Sequence, residues 1–263
     1  MRYVMPAVLM AALTSGSGAY AQTPDAAAQP IANPTEAKPA FDGSFGITAV
    51  SDYRFRGLSQ SDKRPAIQGT VSVSHASGFY VGTWASTISN YVAAGSPAEV
   101  DLYGGFKKTT ATGTTFDVGL LYYLYPDSDG ATTNFFEPYA NVSHTFGALT
   151  AKVGTNFAWK QKALATGAAN KGALYLYGEL GGTVPHTPVS VTGHLGHSFT
   201  RDYITFGEHY TDWSVTAAYT LGKATLSVAY VDTNKDLFSY PGGGGRNRDI
   251  SKAGVVASIG LAF

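Results

Sequence analysis

Cysteine is absent from the sequence, which rules out disulfides and thiolate chemistry. The absence also suits a chain that crosses the oxidising periplasm, where stray thiols mispair. Charge is sparse as well. Asp, Glu, Lys and Arg make up 14% of the residues and the formal net charge is zero, which argues against nucleic acid or an acidic surface as the main partner. Beyond the N-terminal region no stretch has roughly 18 consecutive apolar residues, so no transmembrane helix is expected. The histidines show neither finger nor HExxH spacing, and no helix pattern follows Gly242 to Gly245. No metal site, phosphate loop, dinucleotide fingerprint or cofactor is therefore expected.

Residues 1–21 read as a signal peptide. Arg2 supplies the positive start, Val4 to Leu13 a short apolar run, and Ala19-Tyr20-Ala21 a small-x-small cleavage site. Residues 22–40 carry Pro24, Pro30, Pro34 and Pro39 among alanines, which remove backbone donors and offer little area to bury. This segment reads as a flexible periplasmic tail, and residues 41–263 as the folded unit.

From Phe41 onward, glycine, threonine, serine, valine and tyrosine dominate. About twelve period-two segments recur, each near the length of a tilted membrane-spanning strand. They span roughly 43–55, 65–75, 78–88, 98–108, 113–125, 134–146, 148–160, 171–183, 188–200, 209–221, 223–233 and 253–263. In 113–125, Phe116, Val118, Leu120, Tyr122 and Leu124 share one face. In 209–221 the apolar face is Trp213, Val215, Ala217, Tyr219 and Leu221, opposite Ser214, Thr216, Ala218 and Thr220. Segment 78–88 has aromatics on both faces, so its register stays open, and Pro138 interrupts a ladder. Ten and fourteen strands remain alternatives.

The connections alternate in length. Ala76-Ser77, the run at Thr112-Gly113, Gly147-Ala148, Pro185 to Thr187 and Gly222-Lys223 are tight. Segments 56–64, 89–97, 126–133, 161–170, 201–208 and 234–252 are longer. Outer-membrane barrels sort short turns to the periplasm and long loops outside, whereas a soluble sandwich has no reason to. In lipid only a closed sheet satisfies its own backbone groups. The expected fold is all-β: a closed antiparallel up-and-down transmembrane barrel in the bacterial outer membrane. Phe116, Phe146, Tyr219 and Phe263 are expected at the periplasmic interface of its lipid face, and Trp159 and Trp213 at the outer one. Val255, Ala257, Ile259, Leu261 and Phe263 form an apolar face ending in an aromatic residue, resembling the signal read by the barrel assembly machinery.

The segment SDYRFRGLSQSDKRPAIQG, Ser51 to Gly69, together with GFYVGTW (Gly78 to Trp84), EVDLYGGF (Glu99 to Phe106) and FDVGLLYYLYP (Phe116 to Pro126), resembles the Gcw_chp family, also labelled TorF-type porins. The resemblance covers roughly residues 42–263 and implies an outer-membrane barrel of porin type. It brings no catalytic or ligand residues with it.

The polar faces define a lumen. Its candidate constriction residues are Asp52, Arg54 and Arg56 on the first strand, then Asp101, Tyr103, Asp117, Glu137, Tyr139, Lys152, Tyr175, Tyr177 and Glu179. Gln68, Thr70, Ser72, Asn141, Asn156 and His194 join them. Arg54, Arg56, Asp101 and Glu137 fall toward the outer half, Asp117 and Lys152 lower. These charges either pair to satisfy one another or select small solutes. Twelve strands lie between a filled interior and a wide aqueous channel, so a narrow pore for small polar solutes is expected. A structural or surface-interaction barrel without transport is the alternative. A lipid-modifying enzyme fits less well: Ser143 and His144 point to opposite faces, His194 and Ser198 stand about 13 Å apart at strand rise, and no Gly-x-Ser-x-Gly elbow occurs. Membrane lipids and a small polar solute are the expected partners, with no nucleic acid; the oligomeric state is open.

Overall fold

The computed structural model describes residues 40–166, 172–239 and 248–263. In chain order its strands are β1 (Phe41–Val50), β2 (Arg54–Phe55), β3 (Leu58–Ser59), β4 (Ala66–His75), β5 (Phe79–Thr87), β6 (Ala98–Thr109) and β7 (Thr114–Leu124). There follow β8 (Phe135–Phe146), β9 (Leu149–Ala158), β10 (Ala173–Thr183), β11 (Val189–Ser198), β12 (Tyr210–Leu221), β13 (Ala224–Thr233) and β14 (Gly254–Ala262). A single 3-10 turn, Lys162–Leu164, is the helical element among the described residues. The expected signal peptide, the proline-rich tail and the Gly242 to Gly245 run lie outside those residues.

All strands but β2 and β3 form one closed antiparallel barrel in which sequence neighbours pair throughout. The barrel has twelve strands, which settles the choice left open between ten, twelve and fourteen. Closure joins β1 to β14 with Ile47 opposite Leu261 and Ala49 opposite Ile259. The other edge of β1 pairs with β4 over its whole length. The tight connections gather at one end and the long ones at the other, as the alternation in length predicts. Gly147 and Gly222 adopt φ of +64° and +57° at the first turn position, the left-handed conformation a II′ hairpin needs there.

Side-chain alternation divides the wall into two surfaces. Phe45, Ile47, Val71, Phe79, Val81, Phe116, Val118, Val153, Leu195, Val215, Val228 and Ile259 are exposed on the outside. An apolar belt of this extent on water would be a severe liability, and it fits a hydrocarbon solvent instead. Phe116, Phe146, Tyr219 and Phe263 stand on the belt near the turn end. Trp159 and Trp213 stand on it near the loop end, with Trp159 stacked on Phe136 at 6.0 Å.

Two features differ from expectation. The first strand ends at Val50, so Asp52, Arg54 and Arg56 are not on it but in the connection that follows. The register of β5 is also resolved: Tyr80 and Trp84 turn inward, while Phe79 and Val81 face out. Aromatics occur on both faces there because the inner face is packed too, against a segment that enters the barrel.

Candidate functional site: an inward hairpin and a charged lumen

The connection between β1 and β4 folds into the barrel instead of away from it. Residues 52–61 are all buried. Within it β2 and β3 pair as a two-residue hairpin, Arg54 opposite Ser59 and Phe55 opposite Leu58. Its turn residues Arg56 and Gly57 have φ of +47° and +81°, the pair of left-handed conformations a type I′ turn requires. Gly57 tolerates this freely. Arg56 does not, and its side-chain contacts offset the strain.

Arg56, at the tip, reaches the opposite wall. Its Nη2 donates to both carboxylate oxygens of Glu137, at 2.9 and 2.8 Å. Its guanidinium lies 4.3 Å from the centre of the Tyr175 ring and 4.7 Å from that of Phe55. Glu137 is fully buried and also accepts from Tyr123 Oη at 3.0 Å and Asn156 Nδ2 at 3.1 Å. Such a buried pair persists only when its remaining lone pairs are satisfied, and here they are. Burial opposes the charge on Arg56, but Glu137 outweighs it and holds the guanidinium protonated more firmly than in water.

At the base of the hairpin, Asp52 accepts from Arg54 Nε at 2.6 Å, Ser59 Oγ at 2.6 Å and Ser61 Oγ at 3.2 Å. Arg54 Nη1 donates to the carbonyls of Gly57, Ile250 and Lys252. Arg54 is thus a staple between the hairpin and the chain entering β14. Tyr53 stands beside Trp84, ring centres 5.3 Å apart, and donates to Glu99 Oε1 at 3.2 Å. Burial, with Glu99 and Asp101 nearby, pushes the Tyr53 phenol well above its ordinary value and keeps it a donor.

Most of the remaining candidate residues fall in two further clusters. In one, Lys107 Nζ lies 3.6 Å from Asp117, which accepts from Tyr80 Oη at 2.5 Å; the Tyr80 and Tyr139 hydroxyls bond to each other. In the other, Lys152 Nζ lies 3.6 Å from Glu179, and His194 bridges Glu179 and Asp212 at 3.2 Å on each side. Tyr175 Oη bonds Asp212 at 3.0 Å and His194 at 2.9 Å. Both His194 nitrogens therefore face carboxylates, and neither is left to take a proton from Ser198 or Ser214.

The tyrosines hold their places by lying over glycines. Tyr103 faces Gly82 across the β5–β6 ladder, Tyr80 faces Gly105, Tyr139 faces Gly119 and Tyr177 faces Gly154. A Cβ at any of these glycines, or at Gly196 beneath Tyr175, would collide with the tyrosine ring. Glycine on an inward strand position marks this close approach.

Glu99, Tyr80, Trp84, Tyr123 and Asp212 escaped the sequence reading as site residues. Parity offered a signal for two of them: Glu99 shares a face with Asp101, and Asp212 with Ser214. The inner strand faces also differ around the wall. Strands β5 to β12 carry the tyrosines and charges, whereas β13, β14, β1 and β4 present Ser227, Ala229, Ser258, Gly260, Ser44, Thr48, Thr70 and Ser72. On the strand wall carboxylates exceed cations, with Glu99, Asp101, Asp117, Glu137, Glu179 and Asp212 against Lys107, Lys152 and His194, while the hairpin adds Asp52, Arg54 and Arg56. Among the described residues, no group of three metal-ligating side chains comes together.

Comparison with solved structures finds the same architecture at low identity. The KdgM porin superposes with a TM-score of 0.54 at 9% identity, covering 84% of this chain and 98% of that one. The NanC porin superposes with a TM-score of 0.54 at 14% identity, covering 83% of this chain and 98% of that one. A comparison with curated protein sequences gives no match. The sequence profile described as "Bacterial protein of unknown function (Gcw_chp)" matches residues 34–263, a span that contains the whole described barrel, and the chain belongs to the Gcw_chp family.

Proposed function

We propose that the protein is a narrow channel of the bacterial outer membrane for small polar solutes, with the β2–β3 hairpin as its constriction. In this reading residues 1–21 direct export, the β14 strand ending at Phe263 engages the assembly machinery, and the loop end faces outside. The observation that carries the reading is the inward hairpin: a closed barrel with an apolar exterior and a polar interior is narrowed by its own loop, and that loop is pinned by Arg56 to Glu137 on the far wall. Charged side chains that pinch a lumen select by size and sign.

The excess of carboxylates on the lining argues for cations or neutral solutes. One similar structure is described as "KdgM porin in complex with disordered oligogalacturonate", a polyanion that such a lining would repel. Planar-bilayer recordings of the purified protein test the reading: small conductance steps with a cation-biased reversal potential are expected. Burial of the whole 52–61 segment inside the barrel favours a second reading, a structural barrel without transport, and electrical silence of folded protein would select it.

A further inference from the structure

Lipid-facing aromatics crowd one side of the barrel at its loop end. Tyr122, Phe136 and Trp159 stand on adjoining strands with successive ring centres 4.4 and 6.0 Å apart. Beyond them Leu174 lies between two more rings: it pairs with Phe157, and its carbonyl accepts from the Phe199 amide. The other side of the wall presents Val255, Ala49 and Ile67 at this end. A girdle that only marked the membrane interface would run all the way round. Above the rings, the connection from β9 to β10 has lysines but no Asp or Glu. Gln161 fixes its start, donating from Nε2 to the Phe136 carbonyl at 2.7 Å and accepting the Phe136 amide on Oε1 at 2.8 Å. Lys160 and Lys162 flank Gln161, and among the described residues neither pairs with a carboxylate. The fully buried Leu164 anchors the same turn, and its carbonyl accepts from the amide of Tyr203 in the next long loop. That loop carries Arg201, held beside the start of β10 because Thr200 Oγ1 accepts from the Leu174 amide at 2.9 Å. The Arg201 side chain is 61% exposed, and its acid, Glu208, stands 4.0 Å away and is shared with Lys235.

We propose that this side of the rim is a docking surface for a phosphorylated glycolipid of the outer leaflet, lipid A, with its phosphates at Lys160, Lys162 and Arg201 and its acyl chains against Trp159, Phe157, Leu174 and Phe199. Uncompensated cations directly above an apolar, ring-studded wall match an amphiphile with an anionic head. Arginine offers a phosphate a fork of donors and lysine a point charge. Cations spread over two loops suit a headgroup with two phosphates better than the single phosphate of a phospholipid. The surface goes beyond the channel reading and borrows from it only the placing of the loop end outside.

Native mass spectrometry of the detergent-solubilised protein tests the surface, with bisphosphorylated lipid A, the same lipid without phosphates, and phosphatidylglycerol as probes. Retention of the bisphosphorylated lipid at least about tenfold above either of the others is expected, since a hydrogen bond to a charged group is worth that factor or more. Lys160→Gln combined with Lys162→Gln should lower that retention about tenfold, and Arg201→Gln should lower it further. Lys63→Gln combined with Arg64→Gln removes equal charge from the same end of the barrel, away from the rings, and should leave retention unchanged. Equal retention of the three lipids by the unaltered protein overturns the proposal without requiring any variant to fold. Unchanged retention in the Lys160 and Lys162 variant overturns it as well, and so does an equal loss in the Lys63 and Arg64 variant, which would mark charge alone. Selective retention by a protein that is silent in bilayers keeps the surface and removes the channel; conductance without selective retention does the reverse.

Discussion

Arg56 and Glu137 are separated by most of the barrel's interior in chain topology, one on a loop after β1 and the other on β8, yet they meet in a two-pronged contact with both side chains sealed from solvent. That contact converts a surface loop into a stopper. It also makes the stopper conditional, because the pair is worth keeping only while both members are present.

Glu137→Gln should release the hairpin. It leaves a buried guanidinium without its counter-charge, a defect of about 3–5 kcal/mol. In bilayers the variant should conduct more than the parent and with greater noise, and protease should cut near Gly57 in the variant alone. The double variant Arg56→Met with Glu137→Met removes both charges and should regain protease resistance. If Glu137→Gln conducts as the parent does, the hairpin is not the constriction.

Arg54 should behave differently despite its similar position in the sequence. Its bonds go to Asp52 and to carbonyls of the chain entering β14. Arg54→Ala should therefore lower the unfolding temperature, by the equivalent of about 3 kcal/mol, with Asp52 left buried and unpaired. Ion selectivity, read from the reversal potential, should stay near that of the parent; a large shift in selectivity at unchanged stability would place Arg54 on the solute path.

The tyrosine-over-glycine pairs predict a specific intolerance. Gly119→Ala should displace the Tyr139 ring and cost about 1–3 kcal/mol in urea unfolding, the range for overpacking. Gly113→Ala is a useful contrast. It meets nothing within 4 Å, so any cost there comes from its φ of +83° alone and should be smaller.

A pH effect is expected in the loop between β11 and β12. Burial, the largest influence, pushes the Asp202 carboxyl up to about 6, against the hydrogen bonds it receives from Thr200, Thr205 and Ile204 and the pull of Arg56. A carboxyl that titrates higher in the folded loop than in the unfolded chain binds its proton more tightly when folded. The loop is thus most stable below the unfolded value near 4 and loses stability as pH rises through 6. Hydrogen exchange at the Ile204 and Thr205 amides should quicken between pH 4 and 6, after correction for intrinsic rates, and Asp202→Asn should abolish that trend.

Much of the barrel was legible because lipid imposes the same alternation on every strand. Val215, Ala217 and Tyr219 announce β12 without reference to any partner. The hairpin was not legible for the same reason. Tyr53 and Phe55 alternate with Asp52, Arg54 and Arg56 as a strand's residues would, and parity alone does not tell a lipid-facing phenylalanine from one packed against Tyr123 inside the lumen. The Arg56-Gly57 pair, both residues left-handed, was the available sign of a turn, obscured because arginine is an unusual occupant. Tyr80 and Trp84 misled in the converse way: they looked like rivals for the lipid face because nothing in the strand reveals that a plug waits on its other side.

The uneven lining has a geometric outcome. Bulky rings and ion pairs fill the arc from β5 to β12, while serine, threonine, alanine and glycine line the arc from β13 round to β4. Beneath the stopper, then, the two sides of the cylinder differ in chemistry: a solute kept to the side of the short side chains would meet hydroxyls there and carboxylates only across the lumen.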